Sequence, residues 1–451
     1  MKTEGKPDHK PDRKLPRAIV ISVDGLGMNA WKDPGLRIPN LRRLAAEGTE
    51  AASMRSITPT ATWAIHTSLM TGTAPKRHGV LGNWVMDRET KRMVEHYGEK
   101  AGGKEETVTG TTLYDAVKAV GGTTAAICWP KTRGAENIDY NIPEFYEQEA
   151  FETHCTPSLW KELRDAGLPV GSYGAWSKDF ARGPMQDWLS TEAAKYMLRH
   201  KQPNLLLLHY LLPDSLQHQY GACSPELAWA AGYIDERIGD LLKTLKELGL
   251  EENTELFIMS DHGLSNAIRG VYPNVLFKRN GWFHPEHPEL SQVRAVSNGG
   301  SAYVYVMEED AAERSALMDK VLILLKQTEG IARIIIAGDM SRWGLPEEGE
   351  CDRYRPDFVL EAKNDSFFNM GYEADSVIIV REKPVGMHGY FVDHPSSEAF
   401  FLAAGPSVRK GGKLPSISAL DIAPTIAGLF GAALPETDGI LLSELWRKVR
   451  S

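Results

Sequence analysis

The stretch "RAIVISVDG", Arg17–Gly25, is a nearly unbroken run of apolar and β-branched residues that stops at an acid and a glycine. A strand with one wet face alternates apolar with polar residues, and this one does not. It therefore predicts a strand covered on both faces, as in a parallel sheet. Outward from it, helices alternate with similar strands. "PNLRRLAAEG" has Pro39 near its start and Gly48 as its stop. "TLYDAVKAVGG" precedes "TTAAICWP", and "TEAAKYMLRHK" precedes "NLLLLHYLLPD". The best helix is "ELAWAAGYIDERIGDLLKTLKELG", whose Ile234, Ile238, Leu241, Leu242, Leu245 and Leu248 share one face, and "ELFIMSD" follows it. This alternation predicts an α/β fold: a three-layer α/β/α sandwich around a largely parallel central sheet.

From about Leu264 to Val385 the rhythm changes. "SAYVYVM", the helix "SALMDKVLILLKQTEG", "IARIIIAG" and "PDFVLEA" suggest a small α+β unit. After it, "AFFLAAGPSV" and "SALDIAPTIAGLFG" return to core-like composition. The expected organisation is a catalytic domain over 17–263 plus 386–451, an inserted cap over 264–385, and a disordered tail over 1–16.

The 451 residues are 42% hydrophobic and 25% charged, the proportions of a chain with a real core. A net charge of −9 argues against binding a nucleic-acid polymer. No apolar run approaches membrane-spanning length, so no membrane partner is expected either. The start, "MKTEGKPDHKPDRKLPR", lacks the apolar centre of a signal peptide. Cys128, Cys155, Cys223 and Cys351 lie far apart with no CxxC pair, which is neither a disulfide framework nor a thiolate metal site. A cytoplasmic location is the expectation. The oligomeric state is left open.

Several of these segments end in acids. "VISVDG" delivers Asp24, "FIMSDHG" delivers Asp261 and His262, "LLHYLLPDSLQHQYG" delivers Asp214 and His218, and "GMHGY" holds His388 between glycines. In open parallel sheets the carboxyl ends of the strands converge on one crevice, so distant groups can meet there. Asp214 and His218 are four apart, one face of a helical turn. Three aspartates and three histidines suit zinc or manganese and suit calcium poorly. Six such ligands and a hydroxyl suffice for two divalent ions with open positions. Each piece alone is weak, since an acid after a strand often caps a helix and DHG is often a turn. Their joint placement carries the argument. The threonine-rich run "SITPTATWAIHTSLMTGTAPKRHGVLGN" then acquires a purpose: a hydroxyl at the start of a helix near Thr62 can be cap and nucleophile together.

Taken together, "VDG", "TATWAIHTSLMTGTAPKRHGVLGN", "PDSLQHQYG", "SDHG" and "GMHGY" resemble the alkaline phosphatase superfamily, in particular its type I phosphodiesterase/nucleotide pyrophosphatase branch. They occur in that family's order from Asp24 to Tyr390. "ICWP" ahead of "IDYNIPE", and the ending "DIAPTIAGLFG", are similar too. The resemblance implies that Thr62 is the nucleophile and a ligand of one ion, together with Asp24, Asp261 and His262. It implies Asp214, His218 and His388 as ligands of the other ion, and Asn83 as the donor to a phosphoryl oxygen. His66 and His78 match family histidines that are not ligands and are expected to pack or fix loops.

One departure is clear. The branch typically shows Phe-Pro-Asn-His after the nucleophile, whereas this chain has Trp63-Ala64-Ile65-His66. Trp63 keeps an aromatic platform for a nucleobase or aryl group, or else is plain core. The expected activity is cleavage of phosphodiester or pyrophosphate bonds in small, nucleotide-like substrates through a phospho-threonine. A phosphonate (phosphonoacetate-like) or phosphomonoester hydrolase is the alternative. A phosphotransferase or mutase is a lesser one, because mutase relatives usually carry serine. Lys131 and Arg133 of "WPKTRG" bear on this choice: they clamp an extra anionic group, or they face solvent, the commoner fate.

Overall fold

A computed structural model describes residues 15–98 and 100–447. The tail expected over 1–16 lies, through residue 14, outside the described residues. The central strand β1 (Arg17–Val23) is fully buried and pairs in parallel with β2 (Leu205–Tyr210) and β3 (Thr254–Met259). The eight-stranded sheet runs in the order Gly412–Leu414, Thr49–Ala51, Phe401–Ala404, β3, β1, β2, Thr124–Ile127, Tyr140–Ile142. Only Phe401–Ala404 runs antiparallel to its neighbours, β3 and Thr49–Ala51.

Strand periodicity shares each strand between two cores. Ile19, Ile21, Val23, Leu206, Leu208 and Ile258 enter one core, with helices Pro39–Glu47, Gly183–His200 and Pro225–Glu247. Ala18, Val20, Leu205, Leu207, Phe257 and Met259 enter the other, with α1 (Thr62–Thr71), Leu113–Ala119 and Ile422–Phe430. Each large side chain so covered contributes about 1.5–3 kcal/mol relative to exposure, which is why these strands tolerate no polar alternation. The fold is thus a three-layer α/β/α sandwich. Helix α1 is buried at every position, lacks a polar stripe, and stops at Gly72 with φ +67°.

Between β3 and Phe401–Ala404 the chain builds a second unit. A four-stranded antiparallel sheet (Val293–Ser297, Ser301–Val306, Phe358–Ala362, Ile331–Ile335) accompanies helix Ala311–Lys326. A three-stranded sheet holds Ser366–Phe368, Ser265–Val271 and Ile378–Met387. Val271, Phe277, Val304, Leu325 and Phe358 belong to its own core. Tyr303, Tyr305 and Val359 pack with Leu81, Val85 and Met86, so the hairpin Trp84–Asp87/Arg92–Glu95 joins this unit despite its place early in the chain.

Candidate active site at the carboxyl edge of the sheet

Because β1 lies between β2 and β3, the residues that follow all three strands meet. Asp24 follows β1 directly, and its N–H donates to Tyr210 O at 2.9 Å. Asp261 and His262 follow β3 after Ser260. Asp214 is not a strand-end residue as the sequence suggested. It stands in the first turn of α2 (Leu212–Tyr220), because Pro213, near the start of that helix, has the φ a helix needs. His218, one turn later, has Nε2 3.3 Å from Asp214 Oδ2. His388 follows strand Ile378–Met387 of the second unit.

Two clusters result, Asp24–Asp261–His262 and Asp214–His218–His388, and in each the potential ligand atoms lie within 4.8 Å of one another. His262 Nε2 is 3.5 Å from Asp24 Oδ1, 3.3 Å from Asp261 Oδ2 and 3.1 Å from Thr62 Oγ1. The rings of His262 and His388 stack at 4.0 Å and join the clusters. Carbonyls aim two of the imidazoles: His218 Nδ1–H donates to Gly386 O at 2.9 Å, and His388 Nδ1–H to Thr60 O at 2.8 Å. Both Nε2 atoms are left as acceptors on the Asp214 side.

The donors are poorly satisfied within the protein. Asp24 Oδ1, Asp214 Oδ1, Asp261 Oδ2 and His262 Nδ1 are buried without a hydrogen-bond partner. Burial, then the charges of Asp261 and Asp214, pushes the Asp24 carboxyl well above its usual range. Burial raises Asp261 likewise. Burial opposes ionisation of Asp214 too, but the neighbouring His218, whose own pKa is raised, outweighs it and lowers that carboxyl. Burial lowers His262 to about 4 and His388 to about 3, which keeps both neutral and able to ligate. Buried carboxylate oxygens and neutral imidazoles without partners are what divalent cations such as zinc or manganese require, so these residues fit such ions.

Thr62 opens α1, with Ala61 at the cap position, whose own side chain makes no capping hydrogen bond. The hydroxyl therefore does not act as the cap that the sequence suggested; it faces His262. Asn83 Oδ1 accepts from Trp63 N at 3.2 Å. Asn298 of the second unit accepts from Asn83 N (2.8 Å) and Trp84 N (3.0 Å) through Oδ1. Gly82 makes room for this, since a Cβ there would lie 2.5 Å from Asn298 Oδ1. A cavity of about 430 Å³ is lined by Asp24, Thr62, Asn83, Asp214, His218 and His388, and also by Trp63, Trp84, Tyr97, Glu144 and Tyr146. Trp63, only 9% exposed, is therefore both core and cavity wall.

His66 and His78 are fixed by local bonds. His66 Nδ1–H donates to Thr62 O at 2.8 Å, and Nε2 accepts from Ser22 Oγ at 2.9 Å. His78 Nδ1 accepts from Val80 N at 3.1 Å. Neither Lys131 nor Arg133 lines the cavity. Lys131 is 4% exposed, so the solvent-facing expectation fails for it; its Nζ donates to Gly102 O at 3.3 Å behind Trp63. Arg133 donates to Ala101 O at 2.7 Å and lies over the Phe145 ring. Sequence reasoning missed His209, wholly buried, with Nε2 3.3 Å from Asp24 Oδ2. The signal was a histidine inside the apolar run "LLLLHY", on the strand beside β1.

Residues 18–391 match the family described as type I phosphodiesterase/nucleotide pyrophosphatase. The chain belongs to that family. Type I phosphodiesterases/nucleotide pyrophosphatases are enzymes of phosphodiester and pyrophosphate hydrolysis. Bis(5′-adenosyl)-triphosphatase ENPP4 of Bos taurus is 23% identical over 419 residues, covering 92% of this chain and 78% of that one. Venom phosphodiesterase 2 of Crotalus adamanteus is 22% identical over 420 residues, covering 90% of this chain. The chain spans 44% of that venom enzyme's length. Murine ectonucleotide pyrophosphatase/phosphodiesterase 5 shares the fold, with a TM-score of 0.71 at 18% identity over 96% of this chain and all of that one. The same murine protein is known as an inactive threonine-to-alanine variant in complex with AMP. Among the described residues of this family member, no helix is long and apolar enough to cross a membrane.

Proposed function

We propose that this chain hydrolyses phosphodiester or pyrophosphate bonds of nucleotide-like substrates with two divalent ions and Thr62 as nucleophile. The observation that carries this is the Thr62 hydroxyl, 3.1 Å from His262 Nε2 and beside two clusters of unsatisfied donors. Asp24, Asp261, His262 and Thr62 would hold one ion, and Asp214, His218 and His388 the other; zinc is the first choice and manganese the second. Bound ions supply Lewis acidity, which lowers the pKa of a hydroxyl and offsets charge on phosphoryl oxygens.

The chain's own groups do the rest. Thr62 Oγ attacks phosphorus in line, the P–O bond to the organic group breaks, and that oxygen leaves as the alcohol or phosphate. Water then cleaves the phospho-threonine, returning the hydroxyl and releasing the second product. The Asn83 amide N–H groups are free to donate to a non-bridging oxygen, since its Oδ1 is held by Trp63 N. The aromatic lining receives the organic group. Among the described residues no lysine or arginine lines the cavity, which favours a monoanionic diester over a dianionic monoester or a phosphonate with a second acid group. The inactive threonine variant of the murine relative is consistent with the role given to Thr62.

The test is Thr62→Ala, compared with wild type on bis(p-nitrophenyl) phosphate and p-nitrophenyl phosphate, with metal analysis of both proteins. Wild type is expected to prefer the diester. The variant is expected to lose at least about a thousandfold in kcat/KM while most of its bound metal remains. A fully active variant removes the nucleophile assignment, and a strong monoester preference removes the diester assignment.

A further inference from the structure

Ala18 and Val20 of β1 and Leu205 and Leu207 of β2 line the sheet face beneath α1. At the next position on that face the apolar pattern breaks on both strands, to Ser22 and His209, which are partners across the ladder and wholly buried. A strand covered on both faces gains nothing from an imidazole unless the ring bonds to something. His209 Nε2 closes no hydrogen bond, yet it lies 3.3 Å from Asp24 Oδ2. The ring is held in place. His66 meets it edge-on at 4.2 Å and Trp129 lies at 6.4 Å. His66 is itself tied to Thr62 O and Ser22 Oγ.

The carboxylates of the first cluster divide their oxygens. Asp261 Oδ1 accepts from Gly25 N at 3.1 Å and from His262 N at 2.9 Å. Its Oδ2 has no hydrogen bond and lies 3.3 Å from His262 Nε2. Asp24 repeats the division. Its Oδ1 has no hydrogen bond and lies 3.5 Å from His262 Nε2, while Oδ2 is on the His209 side. In both residues the oxygen near His262 is the one left open for a cation. Backbone N–H groups anchor the other oxygen of Asp261; beside Asp24 an imidazole stands in that place.

We infer that His209 is a positioning residue for the first ion: its Nε2–H holds Asp24 Oδ2 and so presents Oδ1 to the ion shared with Asp261, His262 and Thr62. This rests on the two-ion reading above and extends it to a residue outside the ligand set. A carboxylate with one oxygen anchored is oriented before the ion arrives. The second cluster does not depend on this contact, since backbone carbonyls aim His218 and His388. The two ions should therefore respond separately.

The experiment titrates the zinc-loaded full chain with a chromophoric chelator and reads a dissociation constant for each ion. His209→Phe fills the space but cannot donate, and is expected to weaken one ion by about 10- to 100-fold and leave the other within about threefold. His209→Gln, whose amide N–H reaches the place of Nε2, is expected to keep both constants within about threefold of wild type. Unchanged constants in His209→Phe overturn the inference. Equal weakening of both ions, without rescue by glutamine, also overturns it and marks a merely structural residue. Should His209→Phe not fold, His209→Asn takes its place, because its amide stops one methylene short of Asp24. Asparagine should then weaken one ion where glutamine does not, and equal constants in these two variants overturn the inference. A wild type that binds no zinc refutes the two-ion reading itself, whereas two bound ions indifferent to residue 209 refute only the part given to His209.

Discussion

Replacing Lys131 by methionine tests how the wall behind Trp63 is built. Its ammonium is 4% exposed and has one long hydrogen bond, to Gly102 O at 3.3 Å. Burial, and secondarily Arg133, lowers its pKa from 10.5 to about 7, against a weaker opposing pull from Glu106. A base whose folded pKa is depressed takes up a proton on unfolding, so the wild type loses stability as pH falls from 10.5 towards 7. Below about 7 the penalty is complete and constant. The gap between 10.5 and about 7 is worth about 5 kcal/mol in full. Between pH 9.5 and pH 7 about 3 kcal/mol of it would develop. Relaxation and water entry reduce such penalties, so about 1–3 kcal/mol is expected. Methionine has similar length and no charge. Urea denaturation of both proteins at the two pH values, with groups common to both cancelling, should show the variant's advantage growing by that amount on acidification. An advantage independent of pH, or larger at pH 9.5, refutes the reasoning. Because Lys131 lies outside the cavity lining, kcat/KM for a diester should change by less than about threefold. A loss above about a hundredfold would restore the anion clamp.

Asn298→Ala leaves the N–H groups of Asn83 and Trp84 without their acceptor and should cost about 1–3 kcal/mol in denaturation. It should also lower kcat/KM through the displaced Asn83, and unchanged kinetics would show that the second unit does not position that amide. Asn83→Ala itself should lower kcat by about 10- to 1000-fold and, by leaving the Trp63 N–H without its acceptor, cost about 1–3 kcal/mol in denaturation. Chelation should lower the melting temperature, because bound ions stabilise the folded state and the buried Asp24 and Asp261 carboxyls then face each other uncompensated. Asp24 and Asp261 have raised folded pKa values, so their contribution is present below the unfolded value of 3.8 and is lost as pH rises through the raised ones. The chelated protein should therefore melt progressively lower as pH rises above 3.8, a trend that added zinc should abolish.

The sheet was legible because β1, β2 and β3 are apolar on both faces, a pattern few other environments produce. The acids were legible because they follow those strands or, for Asp214, open the next helix. What stayed hidden depends on packing between distant segments. Nothing about Asn298 in "VSNGG" says that it reaches back to Asn83, since only folding brings the two units together. Lys131 is of a residue type usually found at the surface, yet here it is 4% exposed, at a backbone position with φ +61° that the sequence does not announce. Trp63 was open between core and platform, and the alternatives are not exclusive where a core borders a cavity. Thr62 was placed correctly at a helix start, yet its hydroxyl is turned from the backbone to His262, a choice invisible without the neighbouring strand.

His388 is carried by the segment that leaves the second unit, and its Nδ1–H bonds back to Thr60 O at 2.8 Å. During synthesis the ribosome will therefore have made Asp24, Thr62, Asp214, Asp261 and His262 long before the last member of the second cluster emerges. A nascent or truncated polypeptide ending near residue 263 can present one group of donors but not both. The second group of donors is complete only once residue 388 has been made, late in translation.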